Sequence, residues 1–347
     1  KVIMKLSKLQ LITVASALVF GVTSCENQDI TFDDYEGGSS VYFAYQYPVR
    51  TIVLGESEDF DTTIDNEHRC QIYATMGGVY KNEKRISVDI DVDNTLCDNL
   101  YFEDGSPVVA MPSDYYSLGG DQIVLDNDKW GYVDVQFTDA FFADPNSLKK
   151  TYVIPLVMSN VVNADRILTG TPSIEGDTPV RTNSAYWNVQ PKDFVLYCLK
   201  FINPWHASYL RRGIDRVTRD GETETIDRGV VYVEDSEVCK VTTAGLKQCI
   251  FPVTLDLGEG EELTCDLLLT FDDNNHCTIT SNTEGYTAQG EGDFVKDADS
   301  WANKKRDALH LSYSIDFGNI NMQTNDTLVV QTRGVGGEQF TPTYNAN

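Results

Sequence analysis

The chain has 347 residues, with 53 acidic against 27 basic side chains and a formal charge of −26 at pH 7. That balance argues against nucleic acid or an anionic lipid surface as a partner, because phosphate binding needs clustered Lys and Arg. It suits a well-solvated protein, and a neutral ligand such as a glycan would not be repelled.

The first element in chain order is a leader. Met4 is read as the start, with Lys1 to Ile3 as upstream read-through; Lys5 and Lys8 form a positive region and Leu9 to Val22 an apolar one. The apolar run falls short of the roughly 20 residues a membrane span needs and has the anatomy of a secretory signal. Val22, Thr23, Ser24 and Cys25 resemble a bacterial lipobox, which would place a diacylglycerol on the Cys25 thiol. Glu26, Asp29, Asp33 and Asp34 follow at once. They resemble the export signal of Bacteroidetes lipoproteins carried to the outer face of the outer membrane, although a tether is also acidic simply to stay solvated. Residues 1–24 are therefore read as signal peptide and 25–38 as tether. Losing Lys1, Lys5 and Lys8 leaves 24 basic against 53 acidic residues, a formal charge of −29. No second apolar run of 18 residues exists, so the lipid is the only membrane contact expected.

From residue 39 to 160 short β-type runs dominate: VYFAY, RTIVL, RCQIYATM, RISVDIDV, QIVL, YVDVQF and TYVIPLV. RISVDIDV alternates, which predicts Ile86, Val88, Ile90 and Val92 inward and Ser87, Asp89 and Asp91 outward. Seven short strands without a convincing helix read as a β-sandwich. Residues 161–192, rich in Pro, Gly, Thr and Asn, read as a linker. A second series follows: FVLYCLKFI (194–202), VVYVED (230–235), CKVTT, QCIFPVTLDL, LTCDLLLTF, HCTITS, ALHLSYSIDF and TLVVQT. Meandering strands with hairpin signals at Asp220-Gly221, 258–260 and 272–275 favour a closed up-and-down barrel over 193–347, since closure removes aggregation-prone edges. DADSWANKKRD (297–307) reads as a short helix laid against it. Beyond Cys25, seven cysteines lack any C-x-x-C spacing and sit among β-type residues, as buried thiols do. A Cys70–Cys97 or Cys239–Cys249 bridge stays open.

Two long stretches carry a resemblance. FFADPNSLKKTYVIPLVMSNVVNADRILTG (141–170) resembles the end of an immunoglobulin-like N-terminal domain of unknown function in Bacteroidetes surface lipoproteins. YWNVQPKDFVLYCLKFINPWHASYLRRG (186–213) is similar to the entry into a lipocalin-like domain of unknown function often paired with it. PSDYYSL, GEGDF and TLVVQTRGVGGEQF match in texture, so the resemblance spans about residues 40–340. It implies an all-β chain, an immunoglobulin-like β-sandwich followed by a lipocalin-like up-and-down β-barrel. It also implies a polysaccharide-utilisation setting beside Sus-type outer-membrane importers, and supplies no catalytic residues.

Catalytic signatures are missing from the residues. The four histidines share no metal-ligand spacing, there is no G-x-S-x-G elbow, and DNDKWG (126–131) lacks the downstream Glu of a calcium loop. Gly258-x-Gly260 and Gly290-x-Gly292 read as turns, not phosphate cradles. With 53 acids, a glycosidase-like pair would arise by chance, so abundance decides nothing. No cofactor or metal is expected.

Sugar binding asks for flat rings with polar neighbours. Trp130 and Trp301 are the candidate platforms, with local packing as the alternative for each. Tyr115 and Tyr116 point to opposite sides if extended, so one is expected in the core and the other available. Trp187 is expected to anchor a domain contact. Trp205 is expected to plug the barrel's closed end, with Arg211 and Arg212 covering the plug or gripping an acidic sugar. The expectation is a non-catalytic, lipid-anchored glycan-binding accessory; the alternatives are an assembly subunit of an importer that binds no sugar, or an enzyme with an unrecognised carboxylate pair.

Overall fold

The computed structural model describes residues 34–174, 176 and 179–346; the leader and the lipid-attachment candidate Cys25 lie outside the described residues. The regular structure is almost all β, a sandwich followed by an eight-stranded closed barrel.

One sheet of the sandwich has the order Arg166–Ile167, Ser40–Tyr42, Arg69–Gly77, Trp130–Phe137, Tyr116–Leu118. The other runs Glu338–Gln339, Pro48–Val53, Phe194–Ile202, Tyr152–Val162, Arg85–Val92, Gln122–Asp126. Ile86, Val88 and Ile90 point between the sheets, where they join Val133, Val135, Ile154 and Leu156. Val92, expected inward, is exposed, because its neighbour on that edge pairs only as far as Asp89.

The two sheets differ in what covers their outer faces. Behind the second sheet, Val153, Leu196 and Cys198 pack with Leu100, Phe102 and Phe340. Both faces are then dry, and TYVIPLV and FVLYCLKFI read as nearly unbroken apolar runs for that reason. Trp130–Phe137 instead alternates strictly between exposed or half-exposed residues and buried ones. Its sheet keeps one face toward water.

This arrangement corrects the domain boundary. Phe194–Ile202, read as the first barrel strand, lies in the sandwich, parallel to Pro48–Val53 and antiparallel to Tyr152–Val162. The chain end also leaves the barrel: Glu338–Gln339 pairs with Pro48 and Val49, and Thr343–Tyr344 with Leu100 and Tyr101. The linker is structured as well. Thr171–Pro172 pairs with Trp187–Val189, and the Trp187 indole donates to the Val180 carbonyl at 3.0 Å, so this ring clasps its own loop instead of joining the domains.

The barrel strands are Ala207–Arg219, Glu237–Gly245, Gln248–Gly258, Glu261–Phe271, His276–Ser281, Thr287–Trp301, Lys304–Asp316 and Ile320–Thr332. Closure comes from Ala207–Arg219 pairing with Ile320–Thr332 over its whole length. Its far half also pairs with Glu222–Asp227, a strand not anticipated, whereas VVYVED is a short 3-10 turn and its flanks. The expected helix at 297–307 is a β-hairpin, with Ala302 and Asn303 both at positive φ as a two-residue turn demands.

Gly258 and Gly260 form the expected turn at positive φ, but Gly290 and Gly292 lie inside the Thr287–Trp301 strand. A Cβ at 290 would stand 2.6 Å from the Tyr313 Cβ, and one at 292 would stand 2.5 Å from the Leu311 Cδ2. They are glycines because the Ser312 and His310 carbonyl oxygens of the next strand, together with the Tyr313 and Leu311 side chains, leave no room for a Cβ. Phe251, Val253, Leu267, Leu269, Leu309 and Leu311 fill the barrel interior. All seven cysteines among the described residues are free thiols.

Candidate functional site

The uncovered face of the first sheet is set by strand register. Trp130, Tyr132, Asp134 and Gln136 alternate outward, opposite Thr75, Tyr73, Gln71 and Arg69. Two residues on one strand face are about 6.8 Å apart, so Trp130 and Tyr132 form consecutive steps of a row. Trp130 is 52% exposed, Tyr132 and Tyr73 47% each. The tyrosine rings lie 5.3 Å apart between centroids, tilted by 54°.

Polar groups continue the row. The Tyr73 hydroxyl donates to Gln71 Oε1 at 2.6 Å, and Gln71 Nε2 donates to Asp134 Oδ1 at 3.1 Å. Burial, the Tyr132 ring and Asp134 together raise the Tyr73 pKa, so its hydroxyl keeps its proton. Gln136 is engaged by backbone carbonyls at 67, 68 and 137 and serves the fold. At the opposite edge Tyr42 lies under the Lys192 ammonium at 5.4 Å, and Arg166 bonds Ser40. The face thus grades from a basic edge across three rings to a carboxamide and a carboxylate.

Trp130 stands at a corner where the chain crosses from one sheet to the other. Gly131 points inward there, and a Cβ on it would lie 2.4 Å from the Val124 carbonyl oxygen. The absence of a side chain at 131 is what lets the strand begin at Trp130.

The other anticipated residues are elsewhere. Trp301 packs on the barrel wall with Leu210, Ala308 and Val329, its indole donating to the Val330 carbonyl at 3.0 Å and the Arg306 guanidinium 4.5 Å from its ring centre. Tyr115 and Tyr116 both lean on the sandwich core; the Tyr115 hydroxyl donates to Asp144. Neither is the free ring that alternation suggested.

Trp205 does plug the barrel end, 5% exposed and stacked on Phe271 at 3.9 Å. Arg211 and Arg212 do not cover it. Arg211 points into the barrel and donates to Asp326 at 3.1 Å and to the Tyr313 hydroxyl at 3.2 Å, while Arg212 pairs with Asp299 outside. Arg333 takes that place, donating to the carbonyls of Leu54, Glu56, Asn203 and His206. It ties barrel to sandwich with four neutral acceptors.

The sequence reading missed Tyr73, Tyr132, Gln71 and Asp134. The signal was present in the alternation W-x-Y-x-D-x-Q facing Q-x-Y, a set of outward positions that pairs aromatic with hydrogen-bonding side chains.

Residues 204–334 match the family model described as a domain of unknown function, DUF5627. Residues 34–165 match an N-terminal domain model. A crystal structure of a protein of unknown function from Bacteroides ovatus, at 2.40 Å resolution, is 41% identical with a TM-score of 0.85, covering 90% of this chain and 100% of its own. A candidate carbohydrate binding protein from Bacteroides ovatus ATCC 8483 aligns over 85% of this chain and 98% of its own, at 10% identity and a TM-score of 0.27. That score carries no structural argument. No curated protein matches.

Proposed function

The chain belongs to the two-domain family of the Bacteroides ovatus protein of unknown function, and from that premise we propose that it is a non-catalytic glycan-binding protein. We place its platform on the open sheet face of the sandwich. The observation that carries this reading is the exposed row Trp130, Tyr132 and Tyr73 beside Gln71 and Asp134. The apolar face of a pyranose stacks on such rings, and its hydroxyls exchange hydrogen bonds with the neighbouring carboxamide and carboxylate. Backbone pairing fixes both strands in advance, so little ordering entropy is lost when a chain lies across them.

The reading extends to a lipid-anchored surface protein of a polysaccharide uptake system, held through Cys25. Its support there is the lipobox-like sequence and the acidic tether. Against catalysis, the carboxyls among the described residues whose pKa burial raises, Asp65 and Asp193, are each held by their own arginine, Arg50 and Arg181.

The test uses residues 26–347 against plant, microbial and host polysaccharides, with reducing ends assayed in the same tubes. Retention without new reducing ends, lost in Trp130→Ala and Tyr132→Ala, is the expected result. New reducing ends would make the protein an enzyme. Retention that survives both substitutions would move the site off this face.

A further inference from the structure

A crevice of about 420 Å³ opens between the sandwich and the barrel, within the roughly 300–1,000 Å³ of small-ligand sites and in a place where such sites concentrate. Its apolar lining comes from Pro204, Ala207, Phe294 and Val330. Phe294 is half-exposed, packed against the barrel core on one side. One wall is the loop 55–59 of the sandwich, and the other is the barrel hairpin that carries Lys296 and Arg306.

The walls offer both kinds of hydrogen-bonding partner. Glu56 accepts from Lys296 at 2.6 Å, and Glu58 pairs with Arg306 at 2.9 Å and with Lys304 at 3.6 Å, so three ion pairs strap the loop across the opening. Glu56 and Lys296 are mostly exposed, and ties of that kind are worth little and give way readily. Arg306 is more informative. Its side chain is 12% exposed and fixed against the Trp301 ring, yet its Nε is buried without a hydrogen-bond partner among the described residues. An atom sealed from solvent is also sealed from a ligand in the crevice, so Arg306 serves a ligand only through its terminal nitrogens, of which Nη1 pairs with Glu58.

The charge of the lining narrows the ligand. Five acids, Glu56, Glu58, Asp59, Asp297 and Asp307, face three bases, Lys296, Arg306 and Arg333, which disfavours an anion. Metal is not indicated either: among the described residues no three His, Cys, Asp or Glu side chains are placed to share an ion. What matches an apolar floor, carboxylate acceptors and a fixed guanidinium donor is a neutral polyol with one C–H face.

We propose that this crevice is a second ligand site, taking a short neutral saccharide or the terminal sugar of a longer chain. The ligand class rests on the glycan-binding reading; the crevice and its chemistry do not. Because both domains line it, occupancy stabilises their mutual arrangement, which the open sheet face has no means to do.

The test titrates residues 26–347 by calorimetry with glucose, galactose, mannose, xylose and their common disaccharides. Wild type, Trp130→Ala, Arg306→Met and Asp59→Asn are compared. Arg306→Met keeps the aliphatic stem over Trp301 and removes the guanidinium; Asp59→Asn is exposed and leaves the fold intact. Saturable binding of at least one sugar, unchanged in Trp130→Ala and weakened tenfold or more in Arg306→Met or Asp59→Asn, is expected. Binding lost in Trp130→Ala but kept in both crevice variants would overturn the proposal and leave the sheet face as the site. Polysaccharide retention that survives both crevice variants, without any small-sugar binding, would do the same. Failure of every sugar and every polysaccharide would overturn both readings.

Discussion

Gly213 stands opposite Asp326, and the missing side chain is the space that the carboxylate fills: a Cβ at 213 would lie 2.6 Å from Asp326 Oδ1. Asp326 is the hub of a charge network inside the barrel. Arg211 and Tyr313 donate to Oδ2 at 3.1 and 2.8 Å, and Arg228 donates to Oδ1 at 2.5 Å. Arg228 also holds Asp215 through two bonds, and Thr324 donates to Asp215 at 2.8 Å. Removing one member of such a set leaves the others buried and uncompensated, which costs about 3–5 kcal/mol.

Two substitutions test this network by chemical unfolding. Asp326→Asn is expected to lose about 3 kcal/mol or more, since the buried Arg211 and the partly buried Arg228 lose their shared anion. Gly213→Ala inserts a methyl against the Asn325 carbonyl oxygen as well as against Asp326, and overpacking of that kind costs about 1–3 kcal/mol. A Gly213→Ala midpoint equal to wild type would show that the network has slack.

Two tryptophans separate stability from binding. Trp205→Ala empties the stacked plug beneath Phe271 and is expected to cost about 3–5 kcal/mol. Trp130→Ala removes an exposed ring and is expected to stay within about 0.5 kcal/mol of wild type. Thermal melts of the two variants side by side check both. A large loss from Trp130→Ala would mean that the ring is structural and that the sheet face has another purpose.

Most of the strands and the order of sandwich and barrel were legible because alternation and turn residues carry them locally. RISVDIDV announced its inward face down to Ile90 without help. What stayed hidden depends on partners distant in sequence. Phe194–Ile202 went to the wrong domain because an apolar run does not say which sheet covers it; the covering residue Phe340 comes more than a hundred positions later. Gly290 and Gly292 resembled a turn because the side chains they admit, Tyr313 and Leu311, belong to the next strand. Likewise, Trp130 was picked out as a rare residue, whereas Tyr132 and Tyr73 needed the register Tyr73 opposite Tyr132 to become a cluster.

Thiol chemistry gives a prediction independent of ligands. Burial pushes the pKa values of Cys97, Cys198, Cys239, Cys249 and Cys277 up to about 12, and Cys70 is raised further in its dry site. The thiolate is the reactive form, so residues 26–347 should react slowly with a thiol reagent at neutral pH. After unfolding without reductant, all seven cysteines among the described residues should react. A count of five would reveal a disulfide and bring Cys70–Cys97 or Cys239–Cys249 back.

The junction between domains should be acid-sensitive through His206. Its Nδ1 accepts from the Thr243 backbone N–H at 3.0 Å, which requires an unprotonated nitrogen. Burial, with Arg333, Lys240 and Lys200 nearby, lowers its pKa from 6.5 to about 4. Between those two values the unfolded chain holds more protons at this residue than the folded one, so stability rises with pH. The contribution is fully present above pH 6.5 and is lost as pH falls toward 4. At 1.36 kcal/mol per unit its upper bound is on the order of 3 kcal/mol. His206→Asn supplies an oxygen that can accept from Thr243 and has no proton to gain. Its stability should therefore fall less steeply than that of wild type between pH 6.5 and 4.5, with the two curves parallel above pH 7. Identical slopes throughout would show that His206 titrates normally and that the junction admits its charge.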